Sequence, residues 1–211
     1  MSFRRGDHVC AIYSTTVELV RVVATFLAEG LDRGERCWYV ASASETPLIR
    51  AELRKRKIEV DSEVRRGALR FVEAKDAYTV HGDFDPEGTI AVFNDAIEEA
   101  LSDGFSGFRA AAEMSWAIDA GVDRVIAYEA LLKTMFATCD VVGLCLYDRA
   151  RMPLPIINGA LVTHPIVAVL DLCQANPFYD PAAHTAAPVT ASELQHKLAR
   201  LTPRRRRRKA P

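Results

Sequence analysis

His8 and Cys10 stand two residues apart in Gly6-Asp-His-Val-Cys-Ala-Ile-Tyr, a spacing that puts both side chains on one face of an extended strand. With Cys145 and His164 from later in the chain they offer nitrogen and sulfur donors of the kind that zinc, copper or iron takes. No Cys-x-x-Cys or comparable pairing accompanies them, and scattered Cys and His ordinarily pack or hydrogen-bond. The sequence therefore assigns no metal ligand and identifies no cofactor, and Cys10 also stands as a candidate redox-responsive thiol.

Tyr13 closes the same apolar stretch, Tyr78 opens a segment with His81, Gly82, Asp83 and Phe84, and Glu113 and Trp116 end a strand framed by Gly104 and Gly107. A carboxylate just past a buried strand needs a hydrogen bond or an opposite charge, and Arg109 is its expected partner if the chain folds back. No nucleophile stands beside a base at a convincing spacing, so no catalytic residue is assigned and ligand binding outranks catalysis. If the pocket takes an apolar ligand, Trp116 supplies contact area and Glu113 one polar anchor.

These residues need elements to position them. Residues 8–13 and 37–41 are short apolar runs that read as strands. Between them Leu19, Val20, Val22, Val23, Phe26, Leu27 and Leu31 recur at helical spacing, ended by Gly30 and Gly34. Such a unit predicts a parallel, right-handed crossover. Residues 45–57 read as a charged surface helix, 68–73 as a third strand, and Pro86 opens a helix running to Leu101. The strand that ends near Glu113 is followed by an amphipathic helix at 122–138, containing Tyr128-Glu129, and by a strand at 141–148 apolar enough to be buried on both faces. A short helix at 156–162 and an edge strand at 166–171 complete the packed unit, which ends at Asn176-Pro-Phe-Tyr.

The expected fold class is thus α/β, one domain over residues 1–181 with a mostly parallel central sheet flanked by helices. Residues 182–211 read as a flexible basic extension with a weak helical patch at 191–201. In an open parallel sheet the strands deliver their carboxyl ends to one edge, where ligands bind. His8, Cys10, Tyr13, Tyr78, Glu113, Trp116 and His164 are accordingly expected to share a pocket there.

Composition sets outer limits. The 211 residues are 49% hydrophobic and 26% charged, ordinary for a domain that folds alone. Five unpaired cysteines and no apolar signal segment at the amino terminus point to a reducing cytoplasm, and no stretch reads as a transmembrane span. The net charge of −1 hides an asymmetry: of 27 basic residues, eight follow Gln195, and all 28 acidic residues precede it. The body therefore carries about −9, and nucleic acid or another polyanion is expected to bind, if at all, only through Arg204, Arg205, Arg206, Arg207, Arg208 and Lys209.

Gly6-Asp-His-Val-Cys-Ala-Ile-Tyr, Phe26-Leu-Ala-Glu-Gly-Leu, Gly34-Glu-Arg-Cys-Trp-Tyr-Val, residues 108–116, Tyr128-Glu129, Leu144-Cys-Leu-Tyr-Asp, His164-Pro165 and Asn176-Pro-Phe-Tyr together resemble the MEDS domain, a sensory domain of methanogen and methylotroph regulators. The resemblance implies a RecA/KaiC-like fold that senses small, hydrocarbon-related molecules beside kinase or DNA-binding modules. A RecA-like core usually holds nucleoside triphosphate in a glycine-rich loop with a Lys, whereas this chain has Tyr13-Ser-Thr-Thr-Val-Glu-Leu. Glycine and lysine are missing and Glu18 repels phosphate, so the P-loop is degenerate and an active ATPase is not expected.

The leading expectation is a non-catalytic small-molecule sensing or signal-transduction module in bacterial regulation, with a regulatory protein partner. A degenerate nucleotide-binding or cysteine- or metal-dependent enzyme is the first alternative. A protein-interaction module tethered by the basic tail is the second.

Overall fold

A computed structural model of the chain describes residues 3–42, 44–78, 84–169, 172–183 and 187–202. The basic run from Arg204 to Lys209 and His81, Gly82 and Asp83 lie outside the described residues.

The order begins with β1 (His8–Tyr13), α1 (Thr16–Asp32) and β2 (Arg36–Ala41). Next come α2 (Thr46–Lys55), α3 (Val60–Arg65), β3 (Leu69–Glu73), α4 (Ala74–Tyr78) and α5 (Pro86–Ser102). Then follow β4 (Phe108–Glu113), α6 (Ala117–Ala120), α7 (Val122–Thr138) and β5 (Val141–Asp148). The chain continues through α8 (Leu154–Thr163), β6 (Ile166–Val169), β7 (Leu172–Ala175) and α9 (Ala191–Leu201).

The seven strands form one sheet in the order β3-β2-β4-β5-β1-β6-β7, parallel throughout except for the β6–β7 pair. All six residues of β1, β2 and β4 are buried, as a sheet covered on both faces requires. Alternation along β1 sends Val9, Ala11 and Tyr13 to the face covered by α1, α2 and α3. It sends Cys10 and Ile12, with His8 in the same phase, to the face covered by α5, α7, α8 and α9.

Helix α1 starts where Thr15 accepts a hydrogen bond from the Glu18 amide at 3.2 Å, while the Glu18 carboxylate accepts from the Ser14 amide at 2.8 Å. Gly30, inside α1, permits close approach to the sheet. A Cβ there would lie 2.6 Å from Cys37 Sγ and 2.8 Å from Arg109 Cδ.

The structure corrects three expectations. Strand β6 is not an edge strand, because β7 pairs antiparallel with its outer side. Leu-Cys-Gln-Ala of β7 is mostly exposed and carries no alternating pattern, so periodicity could not announce it. Second, Arg109 does not meet Glu113. It sits at the amino end of β4, fully buried, with Nε donating to Glu35 Oε2 at 2.6 Å and Nη1 to the Phe26 carbonyl at 3.0 Å. Third, the helical patch in the carboxyl-terminal extension is docked. Leu194, Leu198 and Leu201 of α9 are buried in the core cluster, and Thr190 with Glu193 forms a reciprocal capping box.

Candidate functional site

The residues singled out in the sequence separate into three places. Tyr13 and Glu113 do reach one sheet edge, on the α1 face. There burial first, and the Glu113 charge second, raise the Tyr13 phenol above its ordinary range. Burial likewise raises Glu113, the Ser42 backbone opposing it, and one Glu113 oxygen has no hydrogen-bond partner.

Trp116 lies on the other face, in an aromatic group. Its ring stacks on Tyr78 at 4.8 Å between centroids, lies 3.9 Å from Phe84 and meets Tyr128 edge-on at 5.6 Å. Tyr78 and Tyr128 also line a small cavity of about 20 Å³ between the sheet and α7, whose walls include Phe93, Met135, Phe136 and Cys145.

His8 and His164 come together at a third place, 4.0 Å apart between ring centroids. Cys10 stays in the core beside them, and Cys145, opposite it on β5, joins the histidines. The residue that completes this group is Glu129 of α7. Ligand atoms of His8, Glu129, Cys145 and His164 all lie within 4.8 Å of one another, and all four residues are buried. His8 Nε2 is 3.3 Å from Glu129 Oε2 and 3.5 Å from Cys145 Sγ, and His164 Nε2 is 3.5 Å from the same Glu129 oxygen.

Local packing holds each of these groups. Tyr147 donates its hydroxyl proton to Glu129 Oε1 at 3.0 Å. His164 Nδ1 lies 2.9 Å from the Ala160 carbonyl, which can only accept, so Nδ1 carries the proton and Nε2 presents its lone pair to the cluster. His8 stacks on Phe136 at 4.3 Å and 15°. That stack requires Gly143 beside His8, since a Cβ there would fall 2.3 Å from Phe136 Cζ.

Burial sets the protonation states. It pushes the Glu129 carboxyl up to about 8, the Tyr147 hydrogen bond opposing it, and lowers His164 to about 3. Burial also lowers His8, with His164 contributing, and raises the Cys145 thiol. Burial thus disfavours charge on all four groups, and a bound cation would favour the ionised carboxylate and thiolate.

Sequence reasoning noted Glu129 without assigning it a role. Its signal was present: Val125, Glu129, Leu132 and Phe136 are spaced four, three and four apart, which sets a carboxylate on the apolar stripe of α7.

The same burial bears on thiol reactivity. Cys10 and Cys37 are fully buried with thiols raised by desolvation, and Cys145 is buried, whereas Cys139 and Cys173 are partly exposed. Native protein is expected to react with Ellman's reagent only at Cys139 and, more slowly, at Cys173, whose thiol is pushed up to about 11. The other three should appear on unfolding in guanidinium. Rapid native labelling of Cys10 would restore it as a redox-responsive thiol.

Among the described residues no helix is long and apolar enough to cross a membrane. No curated protein matches the chain. The sequence profile of the MEDS family, the MEthanogen/methylotroph, DcmR Sensory domain, matches residues 7–165. That span runs from the start of β1 through His164 and takes in all four clustered side chains, so the chain belongs to the MEDS family of sensory domains.

Proposed function

We propose that the chain is a non-catalytic sensing module for a small, largely apolar molecule, acting in bacterial regulation through a protein partner. The observation that carries this reading is the small cavity on the α7 face. Its lining shares Tyr78 and Tyr128 with the aromatic group near the strand carboxyl ends and continues to Cys145. Mostly apolar walls with a few polar side chains, here Tyr78, Tyr128 and Cys145, are the usual makeup of a small-molecule site. A volume of about 20 Å³ is roughly that of one water-sized occupant, so a larger ligand enters only as the lining side chains shift.

A RecA/KaiC-like scaffold with a degenerate phosphate loop accords with the sheet order, in which the first strand is central between β5 and β6. It also accords with Glu18, whose carboxylate already accepts the Ser14 amide at the helix start where a phosphate would otherwise bind.

Fluorine NMR with fluoroform as a one-carbon apolar probe tests the reading. The native chain should give a saturable shift, and Ala112→Leu, which places bulk at the cavity wall, should abolish it while the near-ultraviolet circular dichroism is retained. Equal responses from both proteins would place the probe elsewhere and remove the cavity from the account.

A further inference from the structure

We propose that His8, Glu129, Cys145 and His164 form a closed tetrahedral site for a divalent transition-metal ion, with zinc the cation its geometry suits best. The distances carry the argument. With metal–nitrogen bonds of about 2.0–2.1 Å, metal–oxygen bonds of about 2.0–2.2 Å and a metal–sulfur bond of about 2.3 Å, a tetrahedron has nitrogen–oxygen edges of about 3.4 Å and nitrogen–sulfur edges of about 3.6 Å. The cluster shows nitrogen–oxygen separations of 3.3 and 3.5 Å and a nitrogen–sulfur separation of 3.5 Å, and its remaining donor pairs fall within 4.8 Å. Four side chains from β1, α7, β5 and the turn before β6 thus hold three of the six edges of a tetrahedron at coordination length, and the other three close to about 3.4–3.6 Å as the ion binds.

An independent observation points the same way. Glu129 Oε2 and His164 Nε2 are buried and have no hydrogen-bond partner, although both are aimed into the cluster. Orphaned buried polar atoms are costly, and a cation between them satisfies both at once. The groups behind the ligands are arranged as a metal site requires. The Ala160 carbonyl fixes the His164 tautomer with Nε2 inward, and the Tyr147 hydroxyl engages the Glu129 oxygen that faces away from the histidines.

Two imidazoles, one thiolate and one carboxylate make a borderline donor set, suited to zinc, cobalt or ferrous iron. Copper(II) binds such donors tightly but prefers a tetragonal arrangement. Binding replaces the Cys145 thiol proton, and any proton held on Glu129, with the cation, and each displaced proton leaves to solvent. Four protein ligands leave no open coordination position, as in structural rather than hydrolytic zinc sites. A groove of about 410 Å³ between α7 and residues 179–183 has Glu129 among its lining residues, although the donor atoms themselves are buried, so loading the ion requires local opening.

The test uses the full chain, purified without a metal-affinity tag or chelator. Elemental analysis is expected to find about one transition-metal ion per chain. Cobalt(II) titration of the stripped protein should saturate at one equivalent, with intense visible bands of tetrahedral cobalt and a near-ultraviolet thiolate charge-transfer band. Cys145→Ser should remove the charge-transfer band, Glu129→Gln should weaken cobalt binding at least tenfold, and Tyr147→Phe about tenfold. Cys10→Ser should leave both spectrum and affinity unchanged. Cadmium NMR of the unsubstituted chain should report a single sulfur donor, so the result does not depend on any variant folding. A folded chain that retains no metal and gives no thiolate band overturns the proposal. So does a charge-transfer band that survives Cys145→Ser.

Discussion

Arg109→Met is expected to destabilise the protein by about 3–5 kcal/mol. The Arg109 side chain is fully buried at the amino end of β4, where its guanidinium reaches Glu35 at 2.6 Å and the Phe26 carbonyl at 3.0 Å and lies 4.7 Å from the centroid of the Phe26 ring. Glu29 adds a second carboxylate at 3.9 Å. Methionine fills much of the volume but strands the Glu35 charge, itself nearly buried, and the penalty for that unpaired charge dominates. In a chain of this size the loss corresponds to a fall in melting temperature on the order of 10 °C. Urea denaturation measures it directly. Removing both charges in Arg109→Met with Glu35→Leu should recover part of the loss, because a buried pair replaced by apolar groups leaves nothing unpaired. A loss below about 1 kcal/mol for the single variant would mean that water reaches the pair and screens it.

Leu198→Ala in α9 is expected to cost about 2–4 kcal/mol, a value typical of a core leucine rather than of an appendage. Leu194, Leu198 and Leu201 present a buried stripe to the core, and polar contacts flank it. Lys197 donates to Asn158 Oδ1 at 2.7 Å, and Gln174 donates to the Leu201 carbonyl at 2.9 Å. His196, on the exposed side of the same helix, provides the control: His196→Ala should stay within about 0.5 kcal/mol of the parent. Equal effects from the two substitutions would show that α9 does not dock in solution, returning that segment to the status of an extension.

What the sequence by itself determined is local. Strands β1 and β5 and helix α7 occupy the spans that apolar runs and helical spacing predict, because those periodicities follow from the backbone repeat alone. Family membership was legible for a related reason, since ordered motifs along the chain survive without knowledge of which ones touch.

Tertiary structure decided the groupings. His8 and Cys10 share a strand face as their spacing requires, yet His8 joins His164, while Glu113 keeps to Tyr13 on the opposite face and Trp116 to Tyr78. A common sheet edge does not imply a common face, and a shift of one residue along a strand selects between them. Glu129 reads in sequence as one acid in an amphipathic helix. It becomes the centre of a buried cluster only because α7 packs where Tyr147 supplies a donor and Gly143 admits Phe136 against His8. The partner of Arg109 and the docking of α9 were decided in the same way. Each is a contact between residues distant in sequence, and its free energy depends on which groups burial leaves to satisfy one another.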